Sequence, residues 1–283
     1  MKLVTWNTQW CCGLDDVVSV RRIVDGARAM ADFDVLCLQE IAQGFDVMPG
    51  APCDQPAELA ALLPGFRLFF GAAVDRFMPD GSRRRFGNLI ATRLPVAQVA
   101  HHMLPWPVDA AVTSMPRMCT VVTLAAPDLG AVRVMTTHLE FYSAPQRLAQ
   151  ARALRALHVE ATAWATASPA PGKPDSPFDT PLHTPHAILC GDFNTPASDP
   201  AYAAICEPFG ANGASQLHDA WSLVRGATPH TPTFKVHDRR YGPEAIACDF
   251  VFVSDALAPR VRRIEVDSDT RVSDHQPVMV EFG

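Results

Sequence analysis

Eight cysteines are present, yet no C-x-x-C pair occurs, so a zinc ribbon or a thioredoxin-like dithiol lacks its spacing. No apolar run approaches the roughly 20 residues that cross a bilayer, which argues against a membrane span. The amino end, Met1-Lys-Leu-Val-Thr-Trp-Asn7, enters a strand pattern directly and contains no signal-peptide core, so the expected location is cytoplasmic. A basic stripe is also missing. The formal net charge is −6, and the one concentrated basic run is Arg83-Arg84-Arg85. Holding long duplex nucleic acid takes many Lys/Arg contacts to phosphate, and this chain is poorly equipped for that. No internal repeat is visible.

What is present is the composition of a folded globular protein: 283 residues, 48% apolar and 19% charged, enough for one large core or two ordinary domains. Cys37, Cys119, Cys190 and Cys248 lie in or beside apolar runs, where a free thiol acts as a small hydrophobe. Adjacent Cys11-Cys12 reads as loop filler. Short strand-like runs alternate with helical stretches: Lys2–Trp6, Asp34–Gln39, Arg67–Ala72, Asn88–Ala91, Met118–Leu124, Arg133–Thr137, Ala187–Cys190, Ile246–Val253 and Pro277–Phe282. Val17, Val20, Ile23, Val24 and Ala27 predict a helix over Asp16–Met30. A second helix opens with Ser143 as cap and Pro145 in the first turn, with a stripe of Leu148, Ala151, Leu154, Leu157, Ala161 and Trp164. Residues 168–185 hold several prolines and little periodicity, which predicts a long surface loop. Many strands, few helices and polar motifs spread from end to end favour one domain over 1–283.

Those polar motifs carry the chemistry. Gly191-Asp192-Phe193-Asn194 ends the apolar run His186-Ala-Ile-Leu-Cys190. A buried strand that stops on a carboxylate, with a carboxamide two residues on, suits a hard cation or an attacking water. Taken alone it is also an ordinary turn. Thr5-Trp6-Asn7, Leu38-Gln39-Glu40, Thr137-His138-Leu139-Glu140, Cys248-Asp249-Phe250 and Ser273-Asp274-His275-Gln276-Pro277 repeat the pattern at the ends or starts of other apolar runs.

In this order, from Trp6 to Pro277, the six pieces resemble the endonuclease/exonuclease/phosphatase superfamily, the metal-dependent phosphoesterases related to pancreatic deoxyribonuclease. The resemblance implies an α/β (α+β) fold of the deoxyribonuclease I-like type: a four-layer sandwich, two packed mixed β-sheets flanked by helices, with every motif on one common rim. It implies magnesium, with manganese able to substitute, as one or two ions. Oxygen donors suit that cation. Glu40 would bind the metal, Asn7 would assist, and Asp274 would hold a second ion or a metal-bound water. Asp192 and Asn194 would hold the attacking water, and His275 would contact the phosphoryl group with Asp249 orienting its ring. His138 would donate to a phosphoryl oxygen or help the leaving group. The role of base stays open between Asp192 and His275.

Two weaker phosphate contacts follow from the same resemblance. Arg117 offers a planar fork of donors, and Asn88 lies in a glycine–asparagine turn. A surface arginine and a turn-forming asparagine are nearly as good readings. Arg83–Arg85 is expected on a hairpin-like loop, solvated or tracking phosphate. His230–Gly242, with Phe234, Lys235, His237, Arg239, Arg240 and Tyr241, mixes rings and cations and could stack a base.

Departures narrow the substrate. His138 stands where abasic-site endonucleases carry a tyrosine-containing stretch. The tryptophan–proline motif of inositol polyphosphate phosphatases is absent near Asp249. The leading expectation is a magnesium-dependent phosphodiesterase or nuclease acting on nucleic acid ends, short single strands or nucleotides. The alternatives are a phosphatase or phospholipase-type hydrolase of sugar or lipid phosphates, and an inactive binding module of the same fold. The expected partner is a phosphoester substrate, with no membrane and no obligate protein partner.

Overall fold

A computed structural model describes residues 1–51, 53–167, 170, 172–179, 182–209 and 215–283. In chain order the strands are β1 (Lys2–Asn7), β2 (Val35–Gln43), β3 (Arg67–Phe77), β4 (Arg83–Thr92), β5 (Val96–Met103), β6 (Met118–Ala126), β7 (Gly130–His138), β8 (Ala187–Asp192), β9 (Leu217–Asp219), β10 (Asp249–Ser254), β11 (Val261–Val266) and β12 (Val278–Phe282). The helices are α1 (Val20–Met30), α2 (Gln55–Leu62), α3 (Ala144–Thr166), α4 (Pro200–Cys206) and α5 (Ala220–Arg225). The first sheet has the order β11-β12-β1-β2-β4-β3 and the second β5-β6-β7-β8-β10-β9. Each is mixed, with one parallel pair: β1 beside β2, and β7 beside β8.

Alternation along each strand builds three apolar layers. Leu3, Val35, Cys37 and Ile90 of the first sheet meet Val122, Val134, Ile188 and Val251 of the second in the central core. Val4, Trp6, Leu36 and Leu38 face the other way, onto Ile23, Val24 and Ala27 of α1 and Leu59 of α2. Met135, Leu189, Phe250 and Phe252 face Ala151 and Leu154 of α3 and Ala201 and Ile205 of α4. Both faces of the central strands are covered, which is why they read as nearly continuous apolar runs.

A polar clasp crosses the central core. Gln39 Nε2 donates to Thr5 Oγ1 at 3.2 Å within its own sheet and to Thr136 Oγ1 at 2.8 Å in the facing sheet. Both contacts are made by the amide nitrogen, so the donor end is satisfied while Gln39 Oε1 is left without a partner.

Several expectations need correction. The first helix starts at Val20, not Asp16, because Ser19 caps it by accepting from Arg22 N, and Asp16 sits in a left-handed turn at φ 59°. α3 begins as expected, with Ser143 accepting from Gln146 N. Its buried face, however, is Gln146, Arg147, Gln150, Ala151, Leu154, His158 and Thr162, while Trp164 is exposed. Arg83–Arg85 is strand, not loop. Arg83 pairs with Asp75 and Arg84 with Asp46, and Arg85 lies over the Phe70 ring. Of the loop expected over 168–185, residues 168, 169, 171, 180 and 181 lie outside the described residues. The rest form turns and irregular chain up to β8. All eight cysteines are free. Among the described residues no helix is long and apolar enough to cross a membrane.

Candidate active site

Strand register gathers the polar motifs. On the second sheet, His138 pairs with Asp192 across β7 and β8, and Asp192 pairs with Asp249 across β8 and β10. Three neighbouring strands thus deliver three side chains side by side. Gly191 makes the approach possible: its φ is 135°, and an added Cβ would meet Thr137 O at 2.0 Å. On the first sheet, β2 slips register between Leu38 and Ile41, and Glu40 takes φ 61° within that bulge. Bulges re-aim side chains at strand ends, and here Glu40 turns toward Asn7.

Asn7 joins the two halves. Its Nδ2 donates to Glu40 Oε1 at 3.2 Å and to Asp192 Oδ2 at 2.8 Å. Asp192 Oδ1 accepts from Asn194 N at 2.8 Å, where Asn194 is itself left-handed at φ 51°. The carboxyl-terminal motif is tied to β1: Trp6 Nε1 donates to His275 O and Ser273 Oγ to Asn7 O. His275 Nδ1 meets Asp249 Oδ2 at 2.9 Å, and its Nε2 lies 3.7 Å from Asp192 Oδ2. Thr233 Oγ1 donates to the same Asp249 oxygen at 2.6 Å. Phe234 stacks on the His275 ring, 4.4 Å between centroids.

Burial sets the charges. Glu40 is pushed up to about 7, by desolvation first and then by the facing Asp274. Asp192 is raised to about 6 and Asp274 is also raised, both mainly by burial. Burial opposes charge on His275, yet the Asp249 and Asp192 carboxylates hold it well above the usual histidine value. His138 goes the other way, lowered by burial and by Arg117 and His275. Asn194 Nδ2 already donates to Leu139 O and lies 2.9 Å from His138 Nε2. The neutral ring therefore accepts there, and its proximity to Asp192, 3.5 Å, is no ion pair.

Two groupings could hold a cation. Asp192, Cys248, Asp249 and His275 present ligand atoms within 4.8 Å of one another. A metal there would have to deprotonate Cys248, whose thiol burial pushes well above its usual value, and break the Asp249–His275 bond. Glu40, Asn7 and Asp274 fit better. They offer oxygen donors, the choice of a hard cation, and two buried carboxylates of raised pKa, Glu40 partly through Asp274, that a divalent ion would relieve.

The cleft around these groups has a volume of about 220 Å³. Arg117 enters it 5% exposed, its Nε on Glu140 Oε2 at 3.2 Å and its Nη1 without a partner. Asn88 lies behind Arg117 and His138 and does not line the cleft; its Nδ2 donates to Met118 O. Phe234 and Tyr241 of the His230–Gly242 segment line the cleft with Phe141 and Tyr142. Arg240 pairs with Asp238, His237 bonds Ser268 O, and Lys235 Nζ lies 5.7 Å from the centroid of the Phe234 ring.

Sequence reading passed over Gln9 and Trp10, which also line the cleft. Gln9, Trp10 and Cys11 are consecutively left-handed, with φ of 48°, 43° and 59°, at about 1–3 kcal/mol each. Gln9 N on Asn7 Oδ1, Cys12 N on Gln9 O, Ser19 N on Cys11 O and Gln55 Nε2 on Trp10 O hold the turn. No local signal marks it.

Two packed mixed sheets, with acids, histidines and carboxamides converging on one rim, define a hydrolase of phosphoester bonds. The chain belongs to the endonuclease/exonuclease/phosphatase family, whose model matches residues 4–275. The family is metal-dependent. The chain is similar to an endonuclease/exonuclease/phosphatase from Beutenbergia cavernae (25% identity, TM-score 0.71, covering 100% of this chain and 72% of that one). It is also similar to a mannosyl-6-phosphatase from Bacteroides thetaiotaomicron (20%, TM-score 0.67, 100% and 99%). A third neighbour is a 3′ phosphatase from Neisseria bound to a product DNA hairpin (19%, TM-score 0.58, 100% and 99%). The four-layer, deoxyribonuclease I-like fold is that of these neighbours. No curated protein sequence matches the chain.

Proposed function

We propose that the protein is a magnesium-dependent phosphodiesterase acting on nucleotides or short single-stranded nucleic acid ends, with 1–283 as one domain. The observation that carries the hydrolase reading is the bridge from Asn7 to both Glu40 and Asp192, residues of opposite sheets. Glu40, Asn7 and Asp274 hold the cation. Magnesium would neutralise charge on the phosphoryl oxygens and on the departing oxygen. Asp192 takes the proton of the attacking water, which Asn194 helps to hold. His275 is cationic at rest, so it serves as donor to the phosphoryl group rather than as base, with Asp249 and Thr233 fixing its ring. His138, neutral and accepting from Asn194 at Nε2, steadies that carboxamide rather than serving as an acid, and Arg117 Nη1 meets a phosphoryl oxygen.

A diester is preferred for the rings around the cleft, where Arg117 is the one Lys or Arg among the described lining residues. Phe141, Tyr142, Phe234 and Tyr241 form a run of rings with centroids 4.8–6.4 Å apart, a surface on which a base can stack. The modest volume of the cleft favours a second reading, hydrolysis of small sugar or lipid phosphates. Asn88 enters neither reading as a substrate contact.

The test is a substrate panel with and without EDTA. Cleavage of bis(4-nitrophenyl) phosphate and short single strands should exceed phosphate release from mononucleotides and sugar phosphates. The reverse ranking selects the second reading, and no metal-dependent turnover at all selects an inactive module. Phe234→Ala and Tyr241→Ala should raise KM on nucleotide substrates, and unchanged KM values remove the stacking surface.

A further inference from the structure

Among the described residues lining the cleft, two carry a buried side-chain atom with no protein partner: Nη1 of Arg117 and Oε1 of Gln9. Both side chains are more than nine-tenths buried, Gln9 at 6% and Arg117 at 5% exposed. A buried polar atom without a partner is a liability unless a ligand completes it. The two differ in kind. Arg117 is a cationic donor and suits a phosphoryl oxygen. Gln9 presents a neutral acceptor, which an anionic oxygen would repel.

The place of Gln9 narrows what could complete it. Its backbone N donates to Asn7 Oδ1 at 3.1 Å, and Asn7 Nδ2 touches Glu40 and Asp192. The backbone of Gln9 is thus tied to the residue that bridges Glu40 and Asp192, and its side chain lines the same cleft. A left-handed turn held by four hydrogen bonds fixes it there. A hydroxyl both donates and accepts, so it satisfies the carboxamide in either orientation, whereas a phosphoryl oxygen satisfies only one.

We propose that Gln9 is a specificity-determining residue that hydrogen-bonds a substrate hydroxyl adjacent to the scissile phosphoester, so that the protein selects ribose- or sugar-type phosphoesters over their deoxy counterparts. This rests on the phosphoesterase reading above and adds a substrate feature to it. A site built to pair a hydroxyl rejects the analogue lacking it because its own polar group is then left alone.

The test measures kcat/KM with magnesium on two matched pairs. One is adenylyl-3′,5′-adenosine against its 2′-deoxy counterpart, and the other is glucose 1-phosphate against 2-deoxyglucose 1-phosphate. Wild-type protein should prefer the hydroxylated member of at least one pair by about 10-fold or more, and the pair that responds identifies ribose or hexose as the source. Gln9→Met should compress that ratio to within about 2-fold, because the variant has no amide left to be stranded. If its melting temperature shows misfolding, Gln9→Asn, which withdraws the amide by one methylene, should compress the ratio instead. A wild-type ratio near one in both pairs overturns the inference, as does a ratio unchanged in the folded variant. A raised magnesium requirement with an unchanged ratio overturns it too, since the amide would then be holding a cation-bound water. These outcomes in an active enzyme leave the phosphoesterase reading standing. Absence of turnover on every phosphoester overturns both.

Discussion

Two buried histidines in different regions of the molecule differ in charge, one protonated and one neutral. His275, in the cleft, has Asp249 Oδ2 at 2.9 Å from Nδ1 and lies well above its usual pKa. His158, on α3 outside the second sheet, has Arg133 Nη2 at the same 2.9 Å from Nδ1 and is lowered to about 4 by burial and by that guanidinium. Its Nε2 meets Ser215 O at 2.7 Å, so the ring is neutral and donates there. Depth is nearly equal, 4% and 0% exposed. The partner at Nδ1 decides which ring carries a proton to offer, and which is only a brace between a strand and a helix.

That contrast can be broken by substitution, starting where the effect is largest. Asp192→Ala and His275→Ala should each lower kcat on a nitrophenyl diester by at least about 100-fold, while circular dichroism melting stays cooperative; near wild-type rates would end the proposed roles. Asp249→Asn removes the carboxylate that charges His275 and should cost kcat about 10- to 100-fold with KM little moved. Glu40→Gln should mainly raise the magnesium concentration for half-maximal rate, by about 10-fold or more, and EDTA should silence the wild type. The smallest effect is on stability and belongs to His158. Its folded pKa lies below the unfolded value, so the unfolded chain binds more protons between about 6.5 and 4. The stabilisation is full above that window and is lost as pH falls through it. Urea unfolding at pH 7.5 and 4.5 should show wild type losing about 2–3 kcal/mol more than His158→Gln; equal losses would place the proton elsewhere.

How much of this was legible in the sequence depends on what each residue contacts. Asn7, Glu40, His138, Asp192, Asn194, Asp249, Asp274 and His275 stand at strand ends or starts, where a polar residue interrupts an apolar run, and they meet at one cleft. The central strands were equally plain, because burial on both faces leaves continuous apolar runs. β5, β9 and β11 were missed: all are edge strands, β9 only three residues long and the others half-exposed and polar, with Gln98, His101 and His102 in β5 and Arg262, Arg263 and Glu265 in β11. The buried polar face of α3 was hidden for a different reason. Gln146 and Gln150 turn inward to donate to Pro107 O and Pro105 O, and Arg147 to Glu140 O and Phe141 O. Helical spacing identifies a stripe of leucines and says nothing about which carbonyls a neighbouring loop leaves open. Arg83–Arg85 misled through its charge, since Asp75 and Asp46 answer it from distant positions in the chain. Gln9 gave no signal at all, being marked only by the absence of a partner once folded.

The Gln39 amide, reaching from Thr5 to Thr136, has a mechanical consequence. Asn7 and Glu40 ride on one sheet, while His138, Asp192 and Asp249 ride on the other, so their spacing is only as constant as the gap between the sheets. The Gln39 side chain spans that gap, as Asn7 does in reaching Asp192 and Asn88 in reaching Met118 O. Slippage of one layer over the other would have to sever these bonds, which ties the alignment of the reacting groups to the cohesion of the whole sandwich rather than to any local loop.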